Sequence, residues 1–595
     1  MRERIRRRPL LYTLLVGLVL AAGGASAGYA RQRMAAVTPA TVAPLLAERL
    51  AADSTAGVLH PGVHDVYAAR AGQPAWFARA DRDAALDLLA RADRDALPLD
   101  SSLAGLRALS DTARVPASLA DADLAVTDAL LRFGDALARP RADATELYGI
   151  HWTASPPEPP DVAVRLADAF ASAPSPAAAL ALWADGLRPQ HPGYRRLRAA
   201  LARELDLEDR PELVLGRDLA PGDSGLAVVR LRDRLGIETD LSEAEAPAQF
   251  DAALGDALRR LQRARGLRAT GRLDGPTRDV LNVRRPELIP LLALNLERWR
   301  WLPADLGDLH VWVNVPRFEL AVRERAPGAG PSDDWAEATR FVTVVGARDW
   351  QTPAFTDTLE TIVFNPTWIV PASIQRESYG YVKGFVERGP GPGNAMGRVK
   401  FLFPNDHAVY VHDTPTKWAF GVDDRARSHG CVRAGDPEAL ARALLPRTNG
   451  WTEEQVSDIF NGSWWPTQWV QVEKTVPVHL VYFTAEVDPN GRLRVYDDVY
   501  GRDGRLADAL GLERPDQGGS VLATLIADSI GDEEVPETED EADESETADL
   551  PADSAEAAPV APRDTARRPL PARPAAPSDT ADTTAAGVLS RPGRR

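Results

Sequence analysis

The spacing of apolar residues changes once along this chain, near residue 308, and that change limits the folds open to it. From about 40 to 205, apolar side chains recur at helical spacing among Ala, Leu, Asp and Arg, as in residues 121–138. Beyond 308, Val311, Val313 and Val315 alternate, and after Pro316-Arg317 so do Phe318, Leu320 and Val322. A period of two interrupted by a turn is a β-hairpin whose strands are half buried. Residues 341–345, 361–364, 408–412 and 478–482 continue the strand pattern, and 437–445 is the clearest helix among them. At 595 residues the chain is too long for one core. The expectation is a multidomain α+β protein: an α-helical N-terminal scaffold domain over 40–205, a compact helical unit over 216–283, and a mostly-β domain over 308–515.

In the compact unit Val228, Leu231 and Leu235 mark one helical face, and Phe250, Leu254, Leu258 and Leu261 mark a second. Gly271 punctuates a turn, and Asp274 followed by Pro276 opens a third, short helix. Asp223-Ser224-Gly225 precedes one helix and Thr270-Gly271-Arg272-Leu273-Asp274 precedes another. The unit thereby resembles the small three-helix peptidoglycan-binding domain attached to many cell-wall enzymes, here interrupted by an insertion over 241–249. An ordinary helical bundle is the alternative. Upstream, the stretch from Val66-Tyr67 to Trp76-Phe77 reads as a core anchor, with a substrate-facing aromatic as the alternative.

The two termini differ from the body. Arg2, Arg4, Arg6, Arg7 and Arg8 precede an apolar run from Leu10 to Gly24, and Ala25-Ser26-Ala27 offers small residues for cleavage. Residues 1–27 therefore read as a signal peptide, or as a retained signal anchor, and either places the body outside the cytoplasm. At the other end, 530–595 is an acidic, Pro-rich tail too poor in apolar surface to offset its ordering entropy, so disorder is expected. Eleven acidic residues and no basic ones between 531 and 550 account for most of the formal charge of −17. No basic stripe suggests a nucleic-acid partner.

One cysteine can make neither an intramolecular disulfide nor a multi-thiolate zinc site. A lone thiol is more often a small buried hydrophobe, but the neighbours of Cys431 point elsewhere. It lies in Ser428-His429-Gly430-Cys431-Val432-Arg433, downstream of His412-Asp413-Thr414-Pro415. Nucleophilic chemistry needs a thiolate, and a histidine partner lowers a thiol from its usual pKa of about 8.5. Gly430 lets the backbone bend beside the thiol so that amides can face a substrate oxygen. His429, Cys431 and His412 as zinc ligands are the competing arrangement, without a clear further ligand.

The histidine, a loop, and then Ser-His-Gly-Cys-Val-Arg resembles the signature of L,D-transpeptidases, in the longer Gram-negative type that carries His-Asp-Thr-Pro. Asn295 to Pro303, Val345-Gly346 with Thr352-Pro353, Asn365-Pro366-Thr367-Trp368, Gly391-Pro392-Gly393-Asn394 with Met396-Gly397, and Lys400-Phe401 extend the likeness. The resemblance implies Cys431 as nucleophile, His412 as base and Asp413 as the residue that orients it. It places His429 and Gly430 on the oxyanion side, and Arg433, Tyr410, Trp368 and Asn394 on the substrate. It implies no metal and no cofactor, peptidoglycan stem peptides and cell-wall glycan as partners, and a periplasmic location with inner-membrane association if the N-terminus is retained. The expected reaction joins third residues of two stems through a cysteine thioester. The alternatives are an L,D-carboxypeptidase, D-amino-acid exchange, lipoprotein attachment, or a non-catalytic wall-binding scaffold. Only residues 369–388 separate the Asn-Pro-x-Trp and Gly-Pro-x-Asn segments, so the lid should be short.

Overall fold

The structure is a computed structural model describing residues 37–515, without 98–101, 154–157, 207–212, 214–216, 236, 238–248, 265–266, 283–284, 331–332, 371–374 and 376–385. The expected signal, the acidic tail, the 241–249 insertion except Gln249, and most of the lid lie outside the described residues. The chain is a mixed α+β protein, helical in its N-terminal part and mostly β in its C-terminal part.

The N-terminal helices pack on the long helix Pro116–Ala138, which buries Leu119, Leu130, Leu131, Phe133 and Leu137. Asp123 on the same helix is also buried, because it accepts hydrogen bonds from Tyr67 Oη and from the Ala75 and Trp76 amides. Trp76 donates its ring N–H to Thr127 at 2.9 Å, so the aromatic stretch is core. Among the described residues the compact unit has three helices, Leu226–Arg234, Ala252–Ala264 and Gly275–Leu281, around Val228, Leu231, Phe250, Leu254 and Leu258. Its two half-repeats meet where Leu219 bridges Leu273, and Asp274 caps the third helix by accepting from the Thr277 amide at 3.0 Å.

All three regions share the helix Arg285–Arg300. Its Leu288, Leu291, Leu292 and Leu296 pack with Tyr194 and Leu197 from the N-terminal region, Leu267 and Val280 from the three-helix unit, and Trp312, Val481 and Phe483 from the sheet. The charges in its last turn are buried in pairs. Glu297 meets Arg300 at 3.0 Å and accepts from the Arg141 and Ala142 amides. Arg298 meets Asp503 at 2.6 Å.

Among the described residues the β part is one curled sheet with two short ribbons. Its strands are β1 (Leu309–Asn314), β2 (Glu319–Arg325), β3 (Trp335–Gly346), β4 (Phe355–Thr358), β5 (Thr361–Phe364), β8 (Val399–Leu402), β9 (Val411–His412), β10 (Ala426–Ser428), β11 (Val432–Ala434), β12 (Gln468–Gln471) and β13 (Pro477–Val481). The ribbons pair β6 (Trp368–Ile369) with β7 (Glu387–Arg388), and β14 (Ala485–Val487) with β15 (Leu493–Val495). The order is β12-β5-β8-β9-β11-β3-β2-β1-β13-β4, with β10 beside β3. The hairpin expected from the alternation is β1 and β2, and the helices Pro437–Thr448 and Glu453–Asn461 contribute to the core of this sheet.

One expected strand is shorter than the pattern suggested. Residues 408–412 yield only β9, because Ala408 adopts φ +54° and Asn405 ties the preceding loop. The Asn405 amide donates to the Val409 carbonyl at 2.8 Å while its oxygen accepts from the His407 and Val409 amides at 3.1 Å.

Replacing Glu297 by alanine would leave Arg300 without its carboxylate and the Arg141 and Ala142 amides without their acceptor inside the protein. A loss of about 3–5 kcal/mol is expected, read as a lower urea midpoint, with Glu297→Gln milder. An unchanged midpoint for the alanine variant would show that this buried pair does not hold the regions together.

Candidate active site

The register of β8, β9 and β11 decides which side chains meet. His412 is the cross-strand partner of Lys400 on one side and of Arg433 on the other. Side chains alternate along strands. Val399, Phe401, Val411, Val432 and Ala434 enter the core, which leaves Lys400, Tyr410, His412, Cys431 and Arg433 to the opposite face. The Val432 amide donates to the Tyr410 carbonyl at 3.1 Å, setting Cys431 opposite Tyr410. Thiol and imidazole are therefore diagonal neighbours, with backbones about 7–8 Å apart, a gap that an imidazole can span.

His412 is buried, with Nδ1 2.5 Å from the Asp413 carbonyl oxygen. A carbonyl only accepts, so Nδ1 carries the proton and Nε2 is left as the acceptor. Asp413 thus orients the ring through its backbone. Its carboxylate is used elsewhere, accepting from the Arg398 amide at 2.7 Å, the Thr414 amide at 2.6 Å and Lys417 Nζ at 2.8 Å. A Cβ on Gly397 would overlap that carboxylate, which explains the glycine after Met396.

The turn carrying Cys431 is braced from beneath. Gly430 sits at φ +107°, a region open to glycine alone at little cost. Ser428 Oγ donates to the Cys431 carbonyl at 2.5 Å and accepts from the Gly430 amide at 3.2 Å. Thr352 Oγ1 donates to the Gly430 carbonyl and accepts from the Gly346 amide, both at 2.8 Å. Tyr500 Oη closes the brace, 2.7 Å from the Gly346 carbonyl and 3.1 Å from the Thr352 amide.

Burial pushes the Cys431 thiol above its ordinary value, against the opposing pull of Tyr410 and Arg433. Burial, with Arg433 and Lys400 on either side, holds His412 down at about 4, although the Asp413 carbonyl works the other way. At neutral pH the resting pair is therefore a thiol and a neutral imidazole. Desolvation also lowers both Lys400 and Arg433.

The other expected site residues fall into two groups. Tyr410 is half buried, edge-on to His412 with ring centroids 5.5 Å apart, and its hydroxyl reaches Met396 Sδ at 3.3 Å. His429 lies exposed on the rim, 5.5 Å from the Trp350 ring, and Trp368 is half buried in β6. Asn394 is no pocket wall. It is buried, and its amide donates to the Pro366 and Gly389 carbonyls at 2.8 and 3.1 Å while its oxygen accepts from the Met396 amide, so it braces the loop. Sequence reasoning gave no role to Lys400, Ser428 or Thr352. Their only signal was membership of the quoted motifs, since each acts through a non-local partner.

Two family models match the chain: YkuD, the L,D-transpeptidase catalytic domain, over residues 310–457, and a scaffold domain over 61–201. A curated Haemophilus influenzae protein named "Putative L,D-transpeptidase" is 28% identical over 250 residues, covering 36% of this chain and 48% of that protein. The match thus spans about half the length of this relative. Two solved structures align at 13% identity and a TM-score of 0.14, too low to bear on the fold. One, a fused zinc-dependent amidase/peptidase/peptidoglycan-binding domain-containing protein from Clostridium acetobutylicum, involves 44% of this chain and 99% of that one. The other, from Bdellovibrio bacteriovorus, involves 34% and 54%.

The neutral resting pair has a measurable consequence. Alkylation of Cys431 by iodoacetamide should accelerate by about tenfold per pH unit from pH 6 to 9, following the thiolate fraction below a raised pKa. A rate that levels off below pH 8 would instead indicate a standing thiolate–imidazolium pair.

Proposed function

Because the chain belongs to the L,D-transpeptidase family, we propose that it is an exported cysteine acyltransferase that joins the third residues of peptidoglycan stem peptides. What carries this reading is the strand register that sets the lone thiol one diagonal from an imidazole, whose Nδ1 proton is held by a carbonyl and whose Nε2 is left to act as base. In the first half-reaction Cys431 Sγ attacks the carbonyl of the third residue of a donor stem as His412 Nε2 takes the thiol proton. The carbonyl oxygen becomes an oxyanion, to which the amides around Gly430 and Cys431 donate. For Gly430 this means giving up its long bond to Ser428. The bond to the terminal D-alanine nitrogen then breaks, His412 returns the proton to that nitrogen, and a thioester remains.

In the second half-reaction the side-chain amine of another stem attacks the thioester. His412 takes the amine proton, the C–S bond breaks, and the proton returns to sulfur. No step calls for a metal or cofactor. The three-helix unit and the helical scaffold would hold the enzyme against wall glycan outside the cytoplasm, with the N-terminal segment directing export and serving as an inner-membrane anchor if retained.

Purified protein incubated with tetrapeptide muropeptides should yield third-to-third dimers by liquid chromatography and mass spectrometry, and Cys431→Ala or His412→Ala should lower the yield by at least about 10³-fold. Tripeptides alone would indicate water as acceptor, and exchanged fourth residues would indicate free D-amino acids. Wild-type yield from Cys431→Ala would sink the thioester route, and no product from the wild type would leave a binding scaffold. A carbapenem should add its mass to the wild-type protein and not to Cys431→Ala.

A further inference from the structure

Most cations around the site already have partners. Lys417 meets Asp413 at 2.8 Å, Arg348 meets Asp424 at 2.9 Å, and Arg398 donates to the Phe460 and Gly462 carbonyls. Lys400 and Arg433 do not fit that pattern. Both are half buried, both stand in line with His412, and among the described residues neither has a hydrogen bond or ion pair. Lys400 Nζ stands 5.7 Å from the ring of exposed Trp469. A cation that has given up water without gaining an anion is costly unless an anionic ligand completes it. Desolvation lowers the basicity of both, as expected of cations short of a counter-charge.

We propose that Lys400 selects the donor stem by binding a carboxylate at the far end of the third residue's side chain, while Arg433 binds the terminal carboxylate of the leaving residue. This rests on the function proposed above and extends it to substrate class. The lengths decide between the two cations. Arg433 is two residues from Cys431, about 7 Å along one strand. Lys400 is two strands from Arg433, about 10 Å across the sheet with His412 between them. A carbonyl seated at Cys431 has the carboxylate of the leaving amino acid only a few bonds away, which suits Arg433. Reaching towards Lys400 requires a side chain of several carbons ending in a carboxylate, as in a diamino diacid such as diaminopimelate. Both side chains end in an ammonium, but only diaminopimelate sets a carboxylate beside it, so a third-position lysine would bring Lys400 a like charge with nothing to offset it.

The test compares two tetrapeptide donors, with diaminopimelate or lysine third, in the full-length protein. The wild type should favour diaminopimelate by about 10- to 100-fold in kcat/KM. Lys400→Met should collapse that ratio to within about threefold of unity, mainly through KM, and Lys400→Arg should restore it. Arg433→Met should depress both donors alike, because both end in the same carboxylate. An undiminished ratio in Lys400→Met, or equal loss on both donors, overturns the assignment alone. No turnover of either donor by the wild type overturns both the assignment and the function beneath it.

Discussion

The line Lys400–His412–Arg433 across three hydrogen-bonded strands is the constraint on which the site depends. It is set by backbone pairing, antiparallel between β8 and β9 and parallel between β9 and β11. A shift of one residue in either pairing would send His412 to the core face and bring Val411 to the surface. The packing forbids that slip, since Val399, Phe401, Val411 and Val432 are all fully or almost fully buried in one cluster. The apolar residues between the functional ones thus fix the chemistry as firmly as the functional residues do. The hydrogen bonds of Asp413, Ser428 and Thr352 then adjust ring tautomer and thiol position within a frame already fixed.

That frame is joined to the rest of the chain at several points. The helix Arg285–Arg300 contributes to the core behind β1 and β13, and Arg298 on it pairs with Asp503 in the closing helix Arg502–Leu510. The same closing region supplies Tyr500, which supports Thr352 and through it the carbonyl of Gly430. On the other side, residues 151–153 extend the sheet edge. The Ala354 amide donates to the His151 carbonyl at 2.9 Å, and Thr153 meets His407 at 2.9 Å, one residue before Ala408. The Ala408 carbonyl is in turn the acceptor 3.8 Å from Cys431 Sγ. The N-terminal helices are therefore in mechanical contact with the nucleophile's surroundings.

Much of this was legible in the sequence because it is local. The motif around Cys431, the alternation that turns Val311 and Leu320 inward, the cap at Asp274 and the core role of Trp76 all depend on neighbours in the chain. The change of period near 308 separated the helical part from the sheet for the same reason. What escaped was non-local. Nothing in Lys400-Phe401 tells that Lys400 will stand beside His412, since that depends on how β8 pairs. Asn394 looked like a pocket residue because it lies in a motif, yet its partners at Pro366 and Gly389 come from other turns of the same loop system. The strand over 408–412 is cut short by local chemistry that the sequence does carry. Pro404-Asn405-Asp406 carries turn chemistry, and an asparagine that binds its own backbone competes with a strand.

The two flanking cations also bear on when the base becomes strong. In the resting site burial and the positive charges of Arg433 and Lys400 depress His412, while Arg433 favours the thiolate. Proton transfer from sulfur to Nε2 then creates an imidazolium between two cations, which Coulomb's law penalises most where water is excluded. An anionic donor that neutralises both cations removes much of that penalty just as its carbonyl reaches the thiol. Arg433 then loses part of its pull on the thiolate, but the thiolate is consumed by bond formation as it appears, whereas the imidazolium must persist until the leaving nitrogen takes its proton. The balance therefore favours transfer in the loaded site. An empty site with a neutral thiol and a neutral imidazole is also less exposed to stray electrophiles, since only the thiolate reacts readily. The same pair of charges that would choose the substrate thus restrains the nucleophile until the substrate is there.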